Sequence, residues 1–328
     1  MATPNIVPRS DSEGGLGTAS KYWASAYIDT ITTTGNINGI AINGGNDNVL
    51  LGVGAGDALT SGADNVAIGV SALSTEDGTG RTVAIGRKAL FLQNCASDSY
   101  NVAVGYHAGA AVTTGKQNTL IGGAAGDALT TGDYNVAIGH GALSTEDAFG
   151  YNVAIGAFAL LTQDAADNAF NVAVGYSAGS NITTGVRNTI MGGSAGDALT
   201  TGQSNVAIGY NSLTSATIAA NNVAIGRQSL ETNVLADRNV AIGMNSLQQM
   251  VGNGGNNHTT YNTAVGYQSG KAVTTGTQNT IVGANSGDAI TTGEGNTALG
   301  YASLTGNVTG DYNTAIGYQS LLTYDSAD

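Results

Sequence analysis

A single cysteine, Cys95, stands in the 328 residues, so neither an intrachain disulfide nor a cysteine-based zinc cluster is available. Two prolines and no Gly-x-y triplet exclude a collagen-like chain. Charge is sparse: 10% of residues are charged, with ten Lys and Arg scattered along the chain, only Arg87 and Lys88 adjacent, against 23 acids, for a net charge of −13. Nucleic-acid partners are therefore not expected, because a phosphate backbone is met by clustered cations. The opening "MATPNIVPRSDSEGG" has no apolar signal region, and no run approaches the length of a membrane span. Membrane insertion is not expected, and a cytoplasm is the expected place of synthesis. What is plentiful is glycine, at 50 residues, beside a hydrophobic share of 41%. That mixture points to a regular, turn-rich architecture and not to a disordered linker.

The regularity is explicit. "NVAIG" occurs at 65, 135, 152, 205, 222 and 239, with near copies such as "NTAIG" at 313. With its Asn counted as position 0, the unit starts at 48, 65, 82, 101, 118, 135, 152, 171, 188, 205, 222, 239, 262, 279, 296 and 313. Twelve of the 15 intervals are 17 residues, and the others are 19, 19 and 23. This period is too short for a helical hairpin repeat or a propeller blade and fits one coil of a β-solenoid.

Each position then has a physical role. Position 0 is Asn in 15 of 16 units, Thr82 being the exception, and reads as a corner residue that tolerates left-handed backbone. Position 4 is Gly in all 16. The three residues between form a short strand, Val or Thr, then Ala, Leu or Ile, then an aliphatic residue. Alternation sends Val66 and Ile68 to one side and Ala67 to the other, and since both sides are apolar, both are expected to be covered.

Position 7 is always Ala or Ser, and position 8 is only Gly or Leu. Where position 8 is Leu, the following loop varies and carries all three insertions. Where it is Gly, an aliphatic residue follows three positions later, as in Leu59, Val112, Leu129, Ile182, Leu199, Val273 and Ile290. Each coil thus supplies one large side chain to the same layer by one of two routes, as a close-packed interior of fixed cross-section requires. Coil order Gly-Leu-Leu-Gly repeats from 48 and from 118, and a third block from 188 gains a Leu coil, a mark of duplication.

The expected fold is all-β: a parallel β-solenoid of about 16 coils over 48–328, preceded by an N-terminal arm and adaptor over 1–47. Stacked at about 4.8 Å, sixteen rungs give a rod on the order of 75 Å long. One chain has few side chains with which to cover both strand faces. The face carrying Ala67, Ala137 and Ala207, with Leu120, Ile190 and Ile281 at intervals, is the expected contact of a symmetric homo-oligomer.

The repeat Asn-Val-Ala-Ile-Gly-x-x-Ala/Ser resembles the head repeat of trimeric autotransporter adhesins, and similar repeats are found in phage tail fibres. The resemblance covers residues 48–328 and implies a left-handed β-roll in which three chains pack around an axis. This chain departs from it in a unit of 17 residues and in placing Val or Thr directly after Asn. The stretch "LGTASKYWASAY" at 16–27, with Tyr22, Trp23 and Tyr27, is similar to a short segment found near the repeats of phage fibres. It implies a virion-attachment adaptor, followed by a Thr- and Ile-rich strand over 28–42.

Residue types suited to catalysis are thinly spread. His107, His140 and His258 fall at different coil phases without ligand-spaced neighbours. Glu76-Asp77 and Glu146-Asp147 occupy the same place in two duplicated blocks and read as solvated turn acids. "GGNDN" at 44–48 echoes a calcium-binding repeat but occurs once. No cofactor, metal site or enzymatic activity is expected. Tyrosines cluster on both sides of the strand, after the corner glycine and before the Asn, where they can shield the edges of the roll or bind sugars. The insertion "VGNGGNNHTTY" at 251–261 supplies Asn253, Asn256, Asn257 and His258 as receptor-binding candidates, together with Tyr324 near the C-terminus.

The favoured reading is a non-enzymatic fibre on a phage virion. It would be a homotrimer that joins other virion proteins through residues 1–47 and meets a host-surface glycan or protein. The alternatives are the passenger of a bacterial trimeric adhesin, which should carry a signal peptide and anchor, and a glycan-degrading tailspike.

Overall fold

The computed structural model describes residues 47–78, 80–252 and 259–323. Tyr22, Trp23 and Tyr27, the strand expected over 28–42, the loop candidates Asn253, Asn256, Asn257 and His258, and Tyr324 lie outside these residues.

Sixteen three-residue strands, β1 (Val49–Leu51) to β16 (Thr314–Ile316), occupy positions 1–3 of the sixteen units. They form one parallel sheet in strict sequence order. Each coil is therefore one turn of a β-solenoid, and no helix occurs among the described residues. Register holds across the insertions: β3 (Val83–Ile85) pairs with β4 (Val102–Val104) over a 19-residue interval, and β12 (Val240–Ile242) pairs with β13 (Thr263–Val265) over 23. The strand register is thus kept across the extra residues, which follow position 8 of Leu-type coils.

The corners are built from left-handed backbone. Position 4 has φ from +121° to +146° in all sixteen coils, as in Gly69 (+131°) and Gly139 (+136°). A Cβ on Gly139 would lie 2.5 Å from the carbonyl of Gly156 in the next coil, so glycine is required twice, by conformation and by stacking distance. Positions 6 and 8 are left-handed too, as in Ser71 and Leu73. The Ala72 N–H closes a turn on the Gly69 carbonyl at 3.2 Å.

Asn at position 0 is not the left-handed corner residue. That conformation belongs to the residue before it, as in Asp64, Tyr134 and Ser204. The Asn side chains are instead buried in a ladder along the axis. Asn205 Oδ1 accepts from the Asn222 N–H at 3.0 Å, while its Nδ2 donates to the Ala219 carbonyl at 2.8 Å. Local reasoning assigned the right residue type to the wrong task, because the partner lies 17 residues away.

The interior also corrects the face assignment. Ala67, Ala137, Ala207, Leu120, Ile190 and Ile281 are fully buried within the single chain. They line its own core, against the position 7 and position 8 side chains, and offer no surface on which a second chain would pack. The other strand face stays partly open, as in Val66, Ile68, Val206 and Ile208. The compensation between positions 8 and 11 is visible in contact: a Cβ on Gly126 would meet Leu120 at 2.8 Å and Leu129 at 2.9 Å. The aliphatic residue three positions on therefore fills the space that Leu occupies in the other coils.

Candidate functional faces of the solenoid

Three surfaces follow from the path of one coil. The first is the outward strand face. Positions 1 and 3 carry only Val, Thr, Ile, Leu or Met in all sixteen coils, so an uncharged ribbon runs the length of the sheet. Ile121, Met191, Ile242, Leu299 and Ile316 are among its exposed members.

The second is the column at position −1 beside it. Tyr134, Tyr151 and Phe170 stack ring on ring at 5.0 and 5.2 Å. Arg81 and Arg238 place their guanidinium groups over Tyr100 and Tyr261. Arg81 also pairs with Asp64 and Asp98. These contacts join neighbouring coils and fit the edge-shielding role expected of the tyrosines.

The third surface joins positions 5, 6 and 9, which the sequence does not reveal as neighbours. Phe158, at position 6, sits edge-to-face between His140 and Tyr176, both at position 5 of the adjoining coils. Asp127, at position 9, is near enough to His107 and His140 to be influenced by both, although burial is the larger effect and raises its pKa. Three successive coils thus bring together His107, Asp127 and His140, which differ in coil phase and seemed unrelated in the sequence.

The buried acids differ from expectation. Glu76 and Glu146 are not solvated; both side chains are fully buried at position 11, while Asp77 and Asp147 are exposed. In the Leu-type coils position 11 still faces the interior, and in most of them it holds a polar residue, such as Gln93, Gln163, Asn233 or Asn307, with Ala216 and Met250 as the apolar exceptions. Glu146 accepts hydrogen bonds from the N–H groups of Phe149 at 3.1 Å and Ala165 at 3.4 Å. It is also the buried member of a group with Asp147 and Asp164 whose carboxylate oxygens lie within 4.8 Å of one another. Burial raises its pKa from 4.5 to about 7. A general acid requires such a value, but a carboxyl closed to solvent cannot reach a glycosidic oxygen.

This raised pKa has a measurable consequence. Between pH 4.5 and about 7 the folded chain retains a proton that the unfolded chain has released. Stability from this group is therefore full below pH 4.5, falls as pH rises through that window, and is flat above it. Glu146→Gln is expected to flatten this dependence and raise the melting temperature at pH 8, the penalty removed being up to roughly 3 kcal/mol. Melting curves of both proteins at pH 5 and pH 8 test this; equal pH dependence would refute it.

Cys95 is buried as well, with its Sγ 3.5 Å from the Thr113 carbonyl. Burial, reinforced by Glu76, pushes its thiol up to about 11, so it is protonated and inert at neutral pH.

No known protein family, curated protein or solved structure matches the chain. Among the described residues, no helix is long and apolar enough to cross a membrane. The functional reading therefore rests on these surfaces and on the repeat.

Proposed function

We propose that the protein is a non-enzymatic fibre of a phage virion, anchored by residues 1–47 and assembled as a homotrimer through its outward strand face. The observation that carries the assembly is the continuous ribbon of positions 1 and 3. Three residues wide, it is about 75 Å long and roughly 10 Å across, with rings beside it at position −1 in six coils, Tyr100, Tyr134, Tyr151, Phe170, Tyr261 and Tyr312. That is on the order of 700 Å², at the upper end of what a monomer ordinarily leaves uncovered and similar to one partner's share of a standard interface. Its features recur once per coil over sixteen coils. A second copy of the same solenoid has the matching period, and a closed ring of three leaves no copy with an open ribbon.

Placement on a virion rests on the repeat and on the aromatic segment around Trp23, both of which resemble phage fibres. Labelled antibody against residues 1–47, imaged on intact particles, tests that placement, and absence of label from purified virions would overturn it. Assembly is tested separately. Ile138→Asp with Ile208→Asp puts charges on the ribbon and is expected to convert a trimer into folded monomers in sedimentation velocity. A wild-type chain that sediments as a monomer at micromolar concentration would refute the assembly.

A further inference from the structure

The surface made by positions 5, 6 and 9 changes character along the chain. In the five coils starting at 205, 222, 239, 262 and 279, position 6 is Asn211, Gln228, Asn245, Gln268 and Asn285. None of the nine coils before them has a carboxamide there. Left-handed φ accounts for Asn at such a position, but not for Gln228 and Gln268, which occupy the same region at +57° and +54°. Backbone conformation alone therefore does not explain five carboxamides in succession.

Position 9 adds a second polar column, made of Asp197, Thr214, Glu231, Gln248, Lys271 and Asp288. The two columns interlock. Glu231 accepts from Gln228 Nε2 at 2.7 Å and from Gln248 Nε2 at 2.6 Å, and Thr214 donates to Asp197 at 2.5 Å. These bonds hold the side chains in place and leave the amide oxygens of both glutamines outside them. The Oδ1 atoms of Asn245 and Asn285 are buried and have no hydrogen-bond partner in the protein. Those two oxygens are closed to solvent and are not contacts for a ligand, so the acceptors the strip offers outward are the amide oxygens of Gln228 and Gln248. Along the border, position 5 presents Tyr210, Tyr267 and Tyr301, exposed by 58%, 45% and 49%.

We infer that this strip is a binding site for an extended, neutral, β-1,4-linked polysaccharide lying along the solenoid axis. Carboxamides and carboxylates offer paired donors and acceptors that match adjacent sugar hydroxyls, and tyrosine faces cover the C–H faces of the rings. Sugar residues in such an extended chain repeat at nearly the spacing of the rungs, so one coil meets about one residue. The charges on the strip are Asp197, Glu231 and Asp288 against Lys271, with Arg227 at position 5; this balance disfavours polyanions, including uronate-rich chains and nucleic acid. Peptide addition to the sheet is disfavoured too, because the strip is not a strand edge.

This inference gives a receptor class to the fibre proposed above and rests on that reading for its biology. The test uses the full chain with cellohexaose and chitohexaose in titration calorimetry, with a uronate hexamer for comparison. Binding of at least one neutral hexamer is expected, weakened at least tenfold in Gln228→Ala/Gln268→Ala and in Tyr267→Ala. The control variant Tyr106→Ala, an exposed position 5 tyrosine in the coil starting at 101 and so outside both the strip and the ribbon, is expected to bind as wild type does. Sedimentation and melting of each variant show that the fold is retained. No binding of either neutral hexamer, preference for the uronate, or equal affinity in the strip variants would overturn the inference. A trimer that binds neither hexamer refutes the strip and leaves the fibre, whereas a monomer that binds refutes the assembly and leaves the strip.

Discussion

Gly209→Ala is expected to split the solenoid into two separately melting halves. Gly209 has φ +131°, a region that L side chains rarely adopt, and an added Cβ would lie 2.6 Å from the carbonyl of Gly226 in the next coil. The neighbouring atoms are backbone, so no side chain can rotate out of the way. Strain of about 1–3 kcal/mol is expected from the conformation alone. The clash adds to it by pushing coils apart where the Gly226 N–H donates to the Ile208 carbonyl at 2.7 Å. A total of roughly 3–5 kcal/mol is expected at this single junction. Because each coil touches only its neighbours, stability in a solenoid is a sum of coil and junction contributions, and one broken junction uncouples what lies on either side. Calorimetry should show two transitions where wild type shows one, and limited proteolysis should cut near the junction. A single transition shifted by less than about 2 °C would mean that the corner accommodates a side chain.

The same residue shows what could be read without a structure. Glycine at position 4 in all sixteen units marks a turn, and the strand triplets between it and Asn match the observed strands residue for residue. The exchange of Leu at position 8 for an aliphatic at position 11 was equally legible, because it is a volume balance written in residue types. What stayed hidden depends on the path of the coil. Ala67 and Val66 are both apolar, so alternation shows that they face opposite ways but not which way is inward. Only the closed coil shows that Ala67 packs against its own chain and that Val66 stays partly open. Glu76 and Glu146 are of a type that is seldom buried, and their burial depends on polar partners in adjoining coils, such as Gln93, whose Nε2 lies 3.1 Å from Glu76 Oε2. His107, Asp127 and His140, and likewise the carboxamide column, become neighbours only once the 17-residue register is applied to positions beyond the strand.

The Asn ladder supports the second large expectation, and Thr82 shows what the ladder requires. At that unit no carboxamide is present to receive the N–H of Asn101, the next residue in the ladder. Ser99 Oγ takes that N–H at 3.3 Å, bonds Thr82 Oγ1 at 2.6 Å, and accepts from Gln93 Nε2 at 3.2 Å. The Gln93 Oε1 atom in turn accepts from Asn101 Nδ2 at 2.8 Å. Losing one carboxamide is thus accompanied by one substitute acceptor, Ser99; the Gln93 bond belongs to the interval lengthened to 19 residues, since Gln163 makes it with Asn171 where Asn152 keeps the ladder intact. Asn205→Ala would have no such relief. It would leave the Asn222 N–H without its acceptor and the Ala219 carbonyl without its side-chain donor, both deep inside the coil. An unmet buried polar group costs about 1–3 kcal/mol, so a loss of roughly 2–4 kcal/mol is expected. Asn205→Asp should fare no better at neutral pH: it keeps the acceptor for Asn222 but turns a carboxylate oxygen toward the Ala219 carbonyl and buries a charge. Its loss should diminish as pH falls and the carboxyl protonates, since a protonated oxygen can donate to that carbonyl. Gln203→Ala, an exposed residue two positions before Asn205 and not in left-handed backbone, is the control and should change stability by no more than about 0.5 kcal/mol. Denaturant titrations of the three variants at pH 5 and pH 7 separate these outcomes. If Asn205→Ala were as mild as Gln203→Ala, the ladder would be a by-product of stacking and not one of the interactions that hold the coils together.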